Sequence, residues 1–449
     1  MAVGPGSIPY LEASAHPDVG AELLGAIESL YPICRSITGD GVRETLNILK
    51  RSVPIELREI PTGTPAFDWT VPREWNIRDA YIKDASGNRV VDFRSLNLHV
   101  VNYSIPVKCR LSLQELRPHL HTLPERPDWV PYRTAYYRDD WGFCLTHRQL
   151  MAMPEGEYEV CIDSSLQDGH LSYGEILIKG ETDDVVLLSA HICHPSLCND
   201  NLSGITLATK IAQTLLPLNL RYSYRFIFAP ATIGSIVWLS QNEAIVKHIK
   251  HGLVLACLGD AGKSTYKQSR RGNAEIDRAA AVVLRDSKQD HRVDAFLPYG
   301  YDERQYCSPG FDLPVGSLMR TPNGRFPEYH TSGDNIAFMD VGSLTDSFVK
   351  VLSLIHVLEY NRTYINLNPK CEPQLGRRGV YRALSDRKAD GERELALLWV
   401  LNQSDGRHSL LDIAERSGIS FGALRDAAEV LMDTGLLAEQ SRGLDQNAG

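Results

Sequence analysis

No apolar run in this 449-residue sequence approaches the roughly 20 residues of a membrane span, so a transmembrane protein is not expected. An excess of positive charge is also missing. The chain has 47 lysines and arginines against 56 aspartates and glutamates, a formal charge of −9. A general nucleic-acid binder usually carries a basic surface, so no nucleic-acid partner is expected. The N-terminal segment lacks the basic start and apolar stretch of a secretory signal, and the expected location is cytoplasmic. Nine cysteines are scattered without a C-x-x-C pair and read as reduced and structural, including Cys193 and Cys198. What is left, 43% hydrophobic and 23% charged, is the composition of an ordinary globular protein with room for two or three domains.

The chain is organised around VVLLSAHICHPSLCNDNLSG, residues 185–204. The apolar run 185–188 reads as a buried strand. His191, His194 and Asp200 follow on the loop that leaves its carboxyl end, and an apolar helix begins after Ser203-Gly204. Ligands in open α/β sheets bind at such strand ends. Neutral imidazole with carboxylate is a good donor set for zinc. An isolated H-x-x-H more often only satisfies backbone groups in a tight loop.

Strand and helix patterns alternate on either side of this segment. Strands are expected near 175–178, 222–229, 253–258 and 311–318, and helices near 205–216, 234–249 and 341–360. Such alternation predicts a mixed, mostly parallel sheet flanked by helices. Residues 65–110 differ in texture, with Trp, Pro, Arg and short alternating runs. Residues 80–83 and 89–92 read as a hairpin, and 98–104 as a further strand. Beyond a Pro- and Arg-containing linker at 361–390, three helical patterns enclose the tight turn Ser417-Gly418-Ile419-Ser420, the signature of a winged helix. Its candidate recognition helix sets Arg425 against Asp426, Glu429 and Asp433, which favours a scaffold or homo-oligomerisation role over DNA reading.

The NDNLSG segment resembles the first metal-binding segment of the zinc aminopeptidases (M28-type, phosphorylase/hydrolase-like fold). The resemblance implies that His191 and Asp200 bind zinc, with Asp200 bridging where two ions are held. It extends to Asp260, in LACLGDAG, as a third ligand. It also covers His330, in EYHTSGD, as a fourth, with Asp334 orienting that imidazole. Residues 65–110, 131–137 and 141–144 resemble a β subdomain inserted in a group of aminopeptidase-like bacterial proteins. Their aromatic and Arg residues either reach over the metal site as a lid or pack the insertion onto the core.

One segment departs from that pattern. Where the zinc aminopeptidases carry two adjacent glutamates, a general base and a metal ligand, this chain has Ala231 and Thr232. Neither replaces its counterpart, because a methyl group accepts no proton and a hydroxyl is a poor zinc ligand. A natural loss and an engineered substitution both explain Ala231. One metal or two is left open. Glu303 is the first candidate for a replacement base and Glu328 the second; the ordinary alternative for Glu303 is a salt bridge to Arg304 or Arg320. Tyr301 and Arg304 are candidates for substrate binding. Arg270 and Arg271 either clamp a substrate carboxylate or phosphate bidentately or are a solvated pair.

The sequence thus leads to an α/β zinc aminopeptidase-like fold with a small inserted β domain and a C-terminal winged helix. The expected divisions are 1–60 and 126–365 for the core, 61–125 for the insertion and 366–449 for the winged helix. The expected function is metal-dependent hydrolysis of an amide in a peptide-like or aminoacylated small molecule. The alternative is a binding protein that keeps the metal pocket without the base.

Overall fold

The structure, a computed structural model, describes residues 18–378 and 391–440. Two compact units emerge: Met1–Ala274 with Arg292–Val349, and Glu275–His291 with Lys350–Gly449. The first is built on an eight-stranded sheet. Its strands are β1 (Glu56–Pro61), β2 (His170–Ile178), β3 (Val185–His191), β4 (Ser223–Ala229), β5 (Ile249–Leu255), β6 (Ser264–Lys267), β7 (His291–Asp294) and β8 (Val315–Met319), in the order β1-β2-β4-β3-β5-β8-β6-β7. The central β4-β3-β5-β8 ladder is parallel, and β1, β2 and β6 run antiparallel to their neighbours. The sheet is mixed, as expected.

All seven residues of β3 are buried, which is why the strand reads as a continuous apolar run rather than an alternating one. The helix Ser203–Leu215 packs close behind it. A Cβ at Gly204 would lie 2.3 Å from the carbonyl oxygen of Leu255, so only glycine lets the helix start approach β5. In the β3–β4 register His191 stands opposite Ala229, and Ile192 N–H donates to the Ala229 carbonyl at 3.1 Å. The loops after β3 and β4 therefore leave the sheet side by side.

The inserted sheet has four antiparallel strands in the order Arg89–Asp92, Glu74–Lys83, Glu157–Gln167, Val107–Ser112. The expected hairpin at 80–92 is present. Asp84 closes it by accepting from the amides of Ser86 and Asn88, both at 2.9 Å. The long strand Glu157–Gln167 comes from beyond residue 125, because the insertion needs a central strand to bury Trp75, Ile82 and Val160. The strand expected at 98–104 is absent. A 3-10 turn, Asn97–His99, replaces it, and Tyr103 has a φ of 75°. Side chains compete with a ladder there: Asn97 donates to the Pro32 carbonyl at 2.8 Å and Ser104 to the Val101 carbonyl at 2.5 Å.

The second unit is the winged helix. Helices Gly391–Gln403, Leu410–Ser417 and Phe421–Asp433 join a three-stranded sheet ordered Asp405–Ser409, Thr363–Asn366, Leu437–Glu439. Gly418, at φ 72°, makes the left-handed turn between the second and third helices. The unit also takes in the helix Glu275–Asp286, whose Arg278 pairs with Asp412 and Glu415. The stretch 379–390 of the expected linker lies outside the described residues. Contrary to the sequence expectation, one helix among the described residues, Val341–Tyr360, is long and apolar enough to cross a membrane; 67% of its apolar window is packed inside the protein.

Candidate metal centre

Asp200 is fully buried at the start of the loop-to-helix turn after β3, and imidazoles converge on its carboxylate. His191 Nε2 lies 2.8 Å from Oδ1, and His330 Nε2 lies 3.0 Å from Oδ2. His194 Nδ1 approaches Oδ1 at 3.9 Å and, though buried, has no hydrogen-bond partner. The Tyr301 hydroxyl donates to Oδ1 at 3.0 Å, and its ring stacks on His191 with centroids 4.6 Å apart. Among the described residues, His191, His194 and Asp200 form one group whose ligand atoms all lie within 4.8 Å of one another.

The electrostatics suit a cation. Burial pushes His194 down to about 3, so its imidazole is neutral with a free lone pair. Burial alone would raise the Asp200 carboxyl. The hydrogen bonds from His191 and His330 reverse that and hold it well below its ordinary value. Imidazoles gathered on an ionised carboxylate, with one buried ring nitrogen unpartnered, fit a divalent ion of the zinc type. His330 is held in left-handed backbone, φ 56°, a conformation that costs a residue with a Cβ roughly 1–2 kcal/mol. Its carbonyl is fixed by the Tyr132 amide at 2.8 Å, and Ser332 N–H donates to the Val130 carbonyl at 2.8 Å.

Asp334 does not orient an imidazole. It accepts from the backbone amides of Asn199 at 2.6 Å and Asp200 at 2.9 Å, and so fixes the loop that presents Asp200. Burial raises its carboxyl to about 7, against the pull of those amides. Asp260 is not gathered into the centre. Its oxygens are occupied by Asn199 Nδ2 (2.9 Å), Gly262 N (2.7 Å), Thr321 N (3.1 Å) and Thr321 Oγ1 (2.6 Å). The carboxylate ties three loops together beside the site, a role that strand-end position alone does not separate from ligation.

A cavity of about 440 Å³ opens beside the centre, and His194, His330, Ala231, Thr232, Tyr301 and Arg304 are among its lining residues. The segment 131–141 supplies much of the opposite wall, including Tyr132, Arg133, Arg138 and Trp141. The insertion-side aromatic and Arg residues thus reach the site. Glu303 does not line the cavity; it is buried in an ion pair with Lys267 at 2.6 Å. Neither Arg304 nor Arg320 is its partner, because Lys267 on β6 reaches it first. Glu328 also lies off the cavity lining, and its carbonyl accepts from Thr331. Arg270 and Arg271 both bind Asp312, at 2.7 and 3.2 Å, and are not among the cavity's lining residues.

His194, read from H-x-x-H as part of the donor set with His191 and Asp200, is at the centre. Two features escaped the sequence reading. Asp302 is fully buried and accepts from Ser235 at 2.8 Å, its other oxygen is unpartnered, and burial raises it to about 6. Arg138, outside the stretches 131–137 and 141–144 singled out from sequence, joins Arg133 in the cavity lining.

Comparison with known proteins fits this geometry. A family model described as a domain of unknown function, DUF4910, matches residues 25–361, and a winged helix-turn-helix model matches residues 362–439. A Clostridium acetobutylicum protein, provisionally named a polysaccharide biosynthesis protein with an aminopeptidase-like domain, is 51% identical over 95% of this chain and 98% of its own. A crystal structure of a provisionally named peptidase from the same organism is 50% identical, covers 96% of this chain and 98% of that one, and has a TM-score of 0.91. The zinc aminopeptidase of Bacillus subtilis shares 11% identity over 76% of this chain and 95% of that one, with a TM-score of 0.55. An M28 peptidase precursor from Shewanella amazonensis shares 13% identity over 78% and 96%, with a TM-score of 0.53. At those identities the last two likenesses concern the fold. With the fold of the M28-type zinc aminopeptidases and a winged helix behind it, the chain belongs to the DUF4910 family.

Proposed function

We propose that the protein is a metal-dependent hydrolase that cleaves an amide bond in a peptide-like or aminoacylated small molecule. One observation carries this reading: imidazoles of three histidines converge on the buried Asp200 carboxylate, and two of them line a cavity of substrate size. In this reading His191, Asp200 and His330 hold zinc, with His194 as a further donor. An ion there would supply Lewis-acid polarisation of the amide carbonyl. The chain's own residues do the rest: Tyr301 orients Asp200, Asp334 fixes its loop, and the 131–141 wall positions the substrate. The Clostridium acetobutylicum relative is named for an aminopeptidase-like domain, which supports amide cleavage. Metal analysis of the purified chain, followed by a screen of small amides, tests the reading. Turnover that disappears in His191→Ala is the expected result. Bound metal without turnover of any amide would overturn hydrolysis.

A second reading has its own observation. Ala231 stands on the cavity wall where a base is needed, and Glu303 is engaged by Lys267. A protein that binds its ligand without cleaving it would look like this. We further propose a cytoplasmic protein without a nucleic-acid partner. In the helix Phe421–Asp433, Arg425 is committed to Asp426 at 2.7 Å and Glu429 at 3.5 Å, so it offers little to a phosphate backbone. A scaffold or homo-oligomer contact suits this module better. Salt-sensitive, submicromolar binding to a defined duplex would overturn that.

A further inference from the structure

The cavity beside the metal centre has a charge pattern that an amine-recognising site would not have. Three guanidiniums, Arg133, Arg138 and Arg304, line it against one carboxylate, Asp140. Asp140 is half exposed and lies 3.8 Å from Arg138, which also reaches the Thr134 carbonyl at 3.5 Å. Arg133 and Arg304 have no ion-pair partner among the described residues, and the buried Nε of Arg304 has no hydrogen-bond partner. Asp302 is near enough to Arg304 to feel its charge without bonding to it.

We propose that this cavity selects an anionic substrate, an amide whose far end bears a carboxylate or phosphate. Arg304 grips the anion from the 299–304 side and Arg133 from the facing wall. A guanidinium presents parallel N–H donors that match either oxyanion bidentately. An α-ammonium group would meet the same wall as a like charge, with Asp140 already facing Arg138. Arg270 and Arg271, the pair expected from sequence to clamp an anion, are instead engaged by Asp312. The inference rests on the proposed function only for the word amide; the charge preference stands without turnover.

The test is calorimetry on the full chain, loaded with zinc and again after chelation, with aromatic probes of different charge. N-benzoylglycine carries the carboxylate, N-benzoylglycinamide replaces it with a neutral amide, and phenylalaninamide carries an ammonium. The carboxylate should bind at least about tenfold more tightly than the neutral probe. Because the anion is held by arginine and not by the ion, the preference should survive chelation. Arg304→Gln and the exposed Arg133→Gln should each remove most of it, and Arg304→Lys should restore part. N-benzoylaminomethylphosphonate in place of N-benzoylglycine separates the two sources: tighter binding of the phosphonate points to a phosphate-bearing substrate, tighter binding of the carboxylate to a carboxylate-bearing one. Equal affinity for charged and neutral probes, tightest binding of the ammonium probe, or unaltered preference in both Gln variants overturns the inference. Charge-selective binding without amide turnover would overturn the hydrolase reading and leave this one standing. Turnover without charge selection would do the reverse.

Discussion

The Asp334 carboxylate accepts the backbone amide of Asp200 at 2.9 Å, so the residue on which the imidazoles converge is positioned by a second aspartate 134 positions further along the chain. Asp334→Ala would leave the amides of Asn199 and Asp200 without acceptors. Partners of this kind, one step out from a metal, typically contribute about 10–100-fold in metal affinity. The expected result is a loss of that size in zinc affinity, measured by competition with a chromophoric chelator, in a chain that still folds.

Asp200 and Asp260 separate by the same measurement. Asp200→Asn should abolish stoichiometric zinc, as should His191→Ala. Asp260→Asn should keep it. Asp260 holds Asn199 and Thr321 together, so its loss should appear as destabilisation of about 1–3 kcal/mol in urea unfolding. Zinc lost from the Asp260 variant as fully as from the Asp200 variant would return Asp260 to the ligand set.

Ala231→Glu should raise amide turnover, because it places a carboxylate on the cavity wall where a proton must be accepted. A positioned base typically contributes about 10²–10⁴-fold. Ala231→Gln should not reproduce the gain, and His191→Ala should cancel it. Rates compared at equal metal occupancy decide the matter; equal rates for Ala, Glu and Gln would place the base elsewhere.

Glu303→Ala should act on stability and not on chemistry. It strands the buried Lys267 ammonium, and breaking a buried pair in this way costs about 3–5 kcal/mol. The midpoint of urea unfolding should fall accordingly, while turnover per folded, metal-loaded molecule stays level. An unchanged midpoint with lost turnover would make Glu303 a base.

His356 gives a pH signature in the C-terminal unit. Burial, with the nearby Arg425, lowers it to about 4. The folded state therefore favours the neutral ring, and the unfolded chain binds the extra proton first. Stability from this group is present above about pH 6.5, the unfolded value, and is lost as pH falls towards 4. The loss amounts to about 3 kcal/mol at most. The difference in urea stability between the native chain and His356→Leu, followed from pH 7 to 4, should shrink by that order. A pH-independent difference would mean that the ring is protonated in the folded state.

Much of this was legible before the fold was known. A fully apolar β3, the NDNLSG loop with its indispensable Gly204, the hairpin closed by Asp84 and the winged-helix turn at Gly418 are local signals, each written within a dozen residues. What escaped depends on partners far apart in sequence. Nothing near Glu303 announces Lys267, and nothing near Asp260 announces Thr321. The strand Glu157–Gln167 pairs with Glu74–Lys83, and Glu74 faces Gln167, 93 positions further on, a pairing that burial of Trp75 and Ile82 favours.

The backbone bonds from Tyr132 to His330 and from Ser332 to Val130 make the wall bearing Arg133 and the turn bearing His330 one mechanical piece. Such a wall is no hinged door: opening it would drag an imidazole away from Asp200. Ligands must enter past a fixed frame, and any ligand that strains Arg133 is felt at His330. A change in what the cavity accepts therefore comes by exchanging side chains on that frame, while a change that moves the frame itself gives up the metal centre along with the old specificity.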